Sequence, residues 1–135
     1  MNLNKTQIRV RYSETDQMQF AHHSNYPVYL EIGRTEWLRN LGISYKKMEN
    51  SGVMLPVINL NINYLKSAKY DDILTLETKL LKPPTAKIEF GYKIFNSKNV
   101  LITQATTTLV FVNMETGRPI RAPKYIMDLV SKLNL

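Results

Sequence analysis

Asp16 precedes the chain's only two histidines, His22 and His23, by six and seven positions in the stretch TDQMQFAHHSNY. A carboxylate and imidazoles at this separation suit several kinds of chemistry, and each makes demands on the residues around them. A metal site needs both rings on one ion, but adjacent side chains of an extended linker point apart, and neither HxH nor HExxH spacing is present. A serine hydrolase needs a nucleophile on a strained turn such as GxSxG. None occurs, and Ser24 directly after His23 does not make a triad. A purely structural arrangement asks for less: Asp16 capping a turn, with the histidines satisfied locally.

The remaining chemistry uses a helix start. The first N–H groups of a helix lack intrahelical acceptors and lie at the positive end of its dipole. With a helix beginning near Ser24, the N–H groups around His23 to Tyr26 can polarise a carbonyl and hold the oxyanion formed on attack. Asp16 then serves as nucleophile, or as the base that activates water. This needs neither metal nor cysteine. On residue types alone, the structural and the catalytic arrangements both stay open.

Positioning these residues falls to the elements on either side. Gln7 to Tyr12 alternates Ile8, Val10 and Tyr12 against Arg9 and Arg11, the pattern of a half-buried strand. From Asn25 to Leu41 the spacing turns helical, with Tyr26, Tyr29, Leu30, Gly33 and Trp37 on one side. Ser24 or Asn25 suits the cap, Pro27 the first turn and Gly42 the stop. Gly33, among the apolar positions, predicts close packing of helix against sheet, since glycine inside a helix otherwise costs about 1 kcal/mol relative to alanine. A short helical segment follows from Ser44 to Asn50. Strands are then predicted over Val57 to Leu65, Ile73 to Leu81, Lys87 to Asn96 and Val100 to Asn113, with LKPPT and NSKN as turns. Ala122 to Leu133 reads as an amphipathic helix with Ile126, Leu129, Val130 and Leu133 on one face. One apolar helix and a run of strands predict an α+β domain, an antiparallel sheet packed on that helix.

The bulk composition sets the bounds. A chain of 135 residues, 44% of them hydrophobic, suits one domain with a real core. There is no run of about 18 apolar residues to cross a membrane, and MNLNKTQIRV lacks the apolar stretch of a signal peptide. No cysteine is present, which removes disulfides, thiolate catalysis and Cys-based zinc sites. A cytoplasmic protein is expected. The net charge of +7 favours anionic partners, but the lysines and arginines are spread along the chain without a block of five or six.

The stretch VRYSETDQMQFAHHSNYPVYLEIGRTEWLR resembles the acyl-CoA thioesterases of the 4-hydroxybenzoyl-CoA thioesterase type, which are hotdog-fold proteins. YDDIL at Tyr70 to Leu74 and TTLVFVNMETGRPIRAP near the end are similar to the family too. The shared pattern runs aromatic, x, x, T/C-D, a short glycine-containing turn, H/Y-x-N/S-Y and E-x-x-R-x-E. It covers nearly the whole chain in order. The resemblance implies one hotdog domain over residues 1–135: a five-stranded antiparallel sheet wrapped around the long helix, with a short C-terminal helix. It implies hydrolysis of acyl-CoA thioesters to free acid and CoA, with no cofactor and no metal. Asp16 falls on the family's catalytic carboxylate. His23 falls on the residue whose backbone N–H, in related enzymes, hydrogen-bonds the thioester carbonyl, and its side chain is a candidate to assist. Asn25 and Tyr26 match the N-Y pair and are expected to shape the turn and the acyl pocket. His22 is expected to serve packing or local polarity. Tyr26, Tyr29, Leu30 and Met54 are candidates for the helix side of an apolar pocket.

The same resemblance implies a homodimer or homotetramer with active sites between subunits. CoA carries phosphates, for which Lys66, Lys69, Arg118 and Arg121 are candidate ligands; an acidic acyl carrier protein would suit the basic surface too. Glu31, Arg34 and Glu36 also match the family. Glu31 and Arg34, one turn apart, read as an ordinary exposed helix pair, with a reach of Glu31 or Glu36 into the partner's site as the alternative. One departure is that Gln17, Met18 and Gln19 stand where the family's turn carries glycine two or three residues after the aspartate. Without glycine, a positive φ there is not cheap. The rival functions are a non-catalytic binder of acyl-CoA or acyl carrier protein, and a hotdog dehydratase or hydratase using histidine with a carboxylate. A nucleic-acid module is disfavoured because no stacking-aromatic motif or basic stripe is present.

Overall fold

The alternating stretches become one antiparallel sheet, and the long helical stretch becomes the helix it wraps. The computed structural model describes residues 2–133 and 135. Its main sheet contains β1 (Asn4–Arg9), β3 (Val57–Tyr64), β4 (Ile73–Leu80), β5 (Lys87–Phe95) and β6 (Leu101–Val110). The spatial order is β1-β4-β5-β6-β3, every neighbouring pair antiparallel, so β1 and β3 are the edges. A small separate ladder joins β2 (Val53–Met54) to β7 (Val112–Asn113). The helices are α1 (Tyr26–Asn40), α2 (Tyr45–Asn50) and α3 (Lys124–Val130). This is the hotdog arrangement, five strands around one long helix with a short helix at the end. Among the described residues, no helix is long and apolar enough to cross a membrane.

Helix α1 lies over β1, β4 and β5. Its buried stripe is Tyr26, Tyr29, Leu30, Gly33, Arg34, Trp37 and Leu38, and the sheet answers with Leu74, Leu76, Leu80, Ile88, Phe90 and Ile94. Full burial of each such apolar side chain contributes about 1.5–3 kcal/mol. The glycine in that stripe does what its position predicts. A Cβ on Gly33 would run into Thr78 Oγ1 on β4 and come within 3.3 Å of Leu76 Cδ2. At the far end Gly42 adopts φ 95°, and Ile43 N–H donates to Leu38 O while Gly42 N–H donates to Arg39 O. Those two bonds close the helix in a Schellman motif, for which a residue in the left-handed region is required.

Several boundaries differ from the sequence expectation. β1 starts at Asn4 and ends at Arg9, because Glu14 Oε1 takes the Arg11 N–H and turns the chain into a single 3-10 turn over Tyr12–Glu14. Tyr12, expected on the strand's buried side, is exposed. The stretch Val100 to Asn113 divides at Phe111, whose N–H donates to Ala86 O, and β7 then turns to β2, a pairing the alternation alone did not predict. α3 begins only after Pro123, the residue that ends the extended approach. The apolar alternation of β3 is real: Leu60, Ile62 and Tyr64 face the same side as buried Thr107, Ala105 and Thr103. Yet Ile58, Leu60 and Tyr64 are 53%, 43% and 49% exposed, because α1 does not reach over that edge.

Candidate active site

The segment between β1 and α1 folds back on itself to carry Asp16. Asp16 N–H donates to Phe20 O at 2.9 Å and Gln19 N–H returns to Asp16 O at 3.0 Å. The Asp16 side chain joins this turn, with Oδ1 accepting from Met18 N–H at 2.8 Å and Phe20 N–H at 3.2 Å. Both bonds fall on the same oxygen, so Oδ2 is the one not engaged in the turn. Asp16 thus caps a turn, as the structural arrangement required, and still presents a carboxylate oxygen in an exposed position. The missing glycine leaves its mark here. Gln19 has φ 68°, the left-handed conformation that costs a non-glycine residue about 1–2 kcal/mol. The turn keeps its shape in spite of its sequence because Ala21 N–H donates to Ala68 O and Tyr70 N–H to Gln19 O, pinning it to the segment before β4.

The helix start is tighter than its sequence suggests. A 3-10 turn over His23–Asn25 precedes α1, so α1 begins at Tyr26 and not near Ser24. His22, not Ser24 or Asn25, supplies the side-chain cap: its Nδ1 accepts from Ser24 N–H at 3.1 Å and lies 2.8 Å from Ser24 Oγ. His22 also stacks on His23 with ring centroids 4.2 Å apart. The N–H of Asn25 is taken by His22 O and that of Tyr26 by His23 O. Of the four N–H groups expected to be open, three are therefore consumed, and that of His23 alone has no acceptor among the described residues. Asn25 spends its side chain on the turn, donating from Nδ2 to Glu14 O at 2.7 Å and His22 O at 3.2 Å.

Asp16, Phe20, Ala21, His22, His23, Tyr26, Tyr64, Leu65, Lys66 and Ser67 line one cleft of about 330 Å³. Tyr64 closes one side, its hydroxyl donating to His23 O at 3.3 Å and its ring set edge-on to Tyr26 at 5.0 Å. Of the expected phosphate ligands, Lys66 lines this cleft, and Lys69 is beside it with Nζ 5.8 Å from the Phe20 ring. Arg118 and Arg121 do not. They follow β7, at the Val57 end of the sheet, about 30 Å of strand away from Ile102, where Leu65 is bonded. Tyr29, Leu30 and Met54 do not reach the cleft either: the first two are core, and Met54 sits on β2. Glu31 and Arg34 form no exposed pair. Glu31 is exposed, Arg34 is buried, and Glu36 pairs with Arg39 instead.

One residue that the sequence reading passed over, Glu14, holds this site together through Arg11 and Tyr29. Glu14 is 7% exposed, and its carboxylate accepts from Arg11 N–H at 2.8 Å, Arg11 Nε at 3.0 Å and the Tyr29 hydroxyl at 2.9 Å. Its carbonyl accepts from His22 N–H and from Asn25. Burial pushes the Glu14 carboxyl up, but the bonds from Arg11 and Tyr29 outweigh it and the net shift is downward from 4.5. Burial pushes the Tyr29 phenol up, and the Glu14 carboxylate adds to this. The i, i+3 spacing of Arg11 and Glu14 was the available signal.

Fold and cleft together define a thioesterase-like hotdog protein. Residues 10–130 match the Thioesterase-like superfamily, and the chain belongs to it. Among curated relatives, a protein of Bacillus subtilis (strain 168) named "Putative acyl-CoA thioesterase YneP" is 38% identical over 128 residues, covering 95% of this chain and 93% of that one. "Acyl-CoA thioester hydrolase YbgC" of Escherichia coli O6:H1 is 28% identical over 120 residues, 89% of this chain and 90% of that one. Among solved structures, the DHNA-CoA thioesterase from Staphylococcus aureus superposes with a TM-score of 0.92 at 36% identity, over 98% of this chain and 91% of that chain.

Proposed function

We propose that this protein hydrolyses acyl-CoA thioesters to free acid and CoA, with the chemistry at Asp16. The observation that carries this is the pairing, in one cleft, of a carboxylate oxygen left out of its own turn with the one open N–H at the helix start, that of His23. The thioester carbonyl accepts from the His23 N–H, which concentrates negative charge where the helix dipole favours it. Asp16 Oδ2 then either takes a proton from the attacking water or attacks the carbonyl carbon itself. In both routes the C–S bond breaks and CoA leaves as the thiol, and in the second water hydrolyses the acyl–Asp16 anhydride. His22 and Asn25 fix the turn, Tyr26 and Tyr64 wall the cleft, and Lys66 meets the CoA phosphates.

The site is completed by a second copy. β3 is an edge strand with a row of unpaired backbone groups and exposed Ile58, Leu60 and Tyr64, which natural proteins seldom leave open. A two-fold axis through β3 pairs it antiparallel with its copy. That brings the Val57 end of one chain, with its Arg118 and Arg121, beside the Tyr64 end of the other. These arginines then join Lys66 at the phosphates, as homodimer or as a unit of a tetramer. An acyl carrier protein in place of CoA fits the net charge of +7 equally well. A second reading, a non-catalytic acyl-CoA binder, is favoured by one observation: Asp16 Oδ1 is committed to the turn.

Thiol release from a panel running from acetyl- to palmitoyl-CoA, with benzoyl- and 4-hydroxybenzoyl-CoA, separates the two. Release from at least one ester is expected. Binding of these esters with no release from any establishes the binder instead.

A further inference from the structure

The contacts of His22 fix its protonation state. Ser24 N–H can only donate, and it meets His22 Nδ1 at 3.1 Å, so Nδ1 carries a lone pair and no proton. The ring is therefore neutral, with its one proton on Nε2. Ser24 Oγ, 2.8 Å from the same Nδ1, is a second donor to it. The backbone of His22 is tied down as well. Its N–H donates to Glu14 O, and its carbonyl accepts from Asn25 N–H and Asn25 Nδ2.

That bond encloses the donor on which the proposed reaction depends. His23 lies between His22 and Ser24, so the bond from Ser24 N–H to Nδ1 closes a loop around the residue with the open N–H. The His22 ring also stacks on the His23 ring, centroids 4.2 Å apart. A second proton on His22 turns Nδ1 from acceptor into donor. Nδ1 then faces the Ser24 N–H with like polarity and the loop around His23 opens, although the Ser24 hydroxyl can still accept from the ring. The titratable groups around His22 are His23 in the stack and Asp16, Lys66, Tyr26 and Tyr64 in the cleft. Glu14 meets it only through the carbonyl, since its carboxylate is held by Arg11 and Tyr29. Lys69 stays over the Phe20 ring. Among these residue types, histidine alone ordinarily changes charge between about pH 5 and 8.

We propose that His22 is a positioning residue for the hydrolysis: as the neutral imidazole it aims the His23 N–H, and a proton on Nδ1 releases that N–H and stops turnover. This rests on the thioesterase reading above. The rate then rises with pH as His22 loses its proton. The loss at low pH falls on kcat more than on KM, because the carbonyl gains most from an aligned donor once charge has developed on its oxygen. A cap that served folding alone would lower stability on protonation and leave the pH profile of the folded enzyme flat in this range.

The test is the pH profile of kcat for wild type, His22→Asn, His22→Phe and His23→Gln. Asparagine keeps an acceptor at the cap and does not titrate. Phenylalanine keeps a ring to stack on His23 but offers no acceptor. His23→Gln removes the other titrating ring and keeps the backbone donor. Wild type is expected to show an acid limb between about pH 5 and 8, which His23→Gln retains and His22→Asn lacks. Near pH 8, above the limb, His22→Phe is expected to lose about tenfold in kcat with KM within a few-fold, the effect of roughly one hydrogen bond. His22→Asn recovers most of that loss. Independently of hydrolysis, 15N NMR of wild type should show His22 with Nδ1 unprotonated at high pH, and the Ser24 amide signal should move at the midpoint of the acid limb. An acid limb unchanged in His22→Asn, or a His22 midpoint that does not match it, overturns the proposal and leaves the thioesterase intact. Wild-type kcat in His22→Phe does the same. Thiol release from no ester at any pH, with the Ser24 signal still following the His22 proton, overturns the thioesterase reading and, with it, the positioning role.

Discussion

At the scale of the residue, the shape of the cleft depends on a carboxylate that does not line it. Glu14 joins three segments: Arg11 at the end of β1, the His22–Asn25 turn through its carbonyl, and α1 through the Tyr29 hydroxyl. Hydrogen bonds to a charged group contribute about 1.5–3 kcal/mol, so Glu14→Gln is expected to cost about 2 kcal/mol of unfolding free energy near pH 7. The sign with pH follows from the direction of its shift. The folded carboxyl titrates below its ordinary 4.5, so the contribution is present above 4.5 and is lost as pH falls through the folded value. Urea unfolding of wild type and Glu14→Gln should therefore converge as pH drops below 4.5, and parallel curves would contradict this assignment. Type and spacing singled out Asp16 and His23 but left a structural and a catalytic arrangement both open, and their proposed roles come from the resemblance to the thioesterases. Glu14 was not legible, because its role consists of contacts with Arg11, Tyr29 and Asn25 that only the fold brings together. The capping role of His22 was hidden for the same reason.

At the scale of the element, α1 is the part that positions the site, and Gly33 sets how closely it sits on the sheet. Alanine is the better helix former by about 1 kcal/mol, but the added methyl runs into Thr78 Oγ1, and overpacking of this kind costs about 1–3 kcal/mol or more. Gly33→Ala is thus expected to lower stability by about 1–2 kcal/mol, read as a fall in melting temperature; a rise would mean that helix and sheet can part without loss. The apolar spacing located α1 to within a residue or two, and Gly42 marked its end. Its first turn was misjudged because Ser24 resembles a cap by type, whereas the 3-10 geometry hands that task to His22. β2 was missed since two residues carry no readable alternation, and β7 was read as the end of one strand from Val100 to Asn113. Arg34 was read as a surface partner of Glu31, and no sequence spacing distinguishes a helix position turned under a sheet edge from one turned to water.

At the scale of the whole molecule, the sheet order leaves β3 at an edge with its apolar face open. Two copies joined there would form a continuous ten-stranded sheet, the arrangement proposed above for the complete site. Leu60→Lys places a charge in the middle of that seam, where like charges from the two copies meet. Light scattering should then report 15.7 kDa where wild type reports twice that or more, with thiol release falling in step. A wild type that is monomeric at every concentration and still active would contradict the shared site. The fold class was the most legible feature at this scale, since one helical period among strands of period two admits few packings. The openness of β3 was not legible, because an alternating strand looks the same whether its apolar face meets its own helix or another chain.

The proposed hydrolysis runs through Asp16, and its most direct test is thiol release by Asp16→Asn against wild type on the best acyl-CoA ester. CoA-ester affinity is measured alongside as a control for folding. Asparagine keeps the size and the Oδ1 acceptor of the turn but removes the anionic oxygen. With affinity within a few-fold of wild type, kcat is expected to fall at least 100-fold, about 2.7 kcal/mol of barrier. Turnover equal to that of wild type would show that the reaction does not run through this carboxylate.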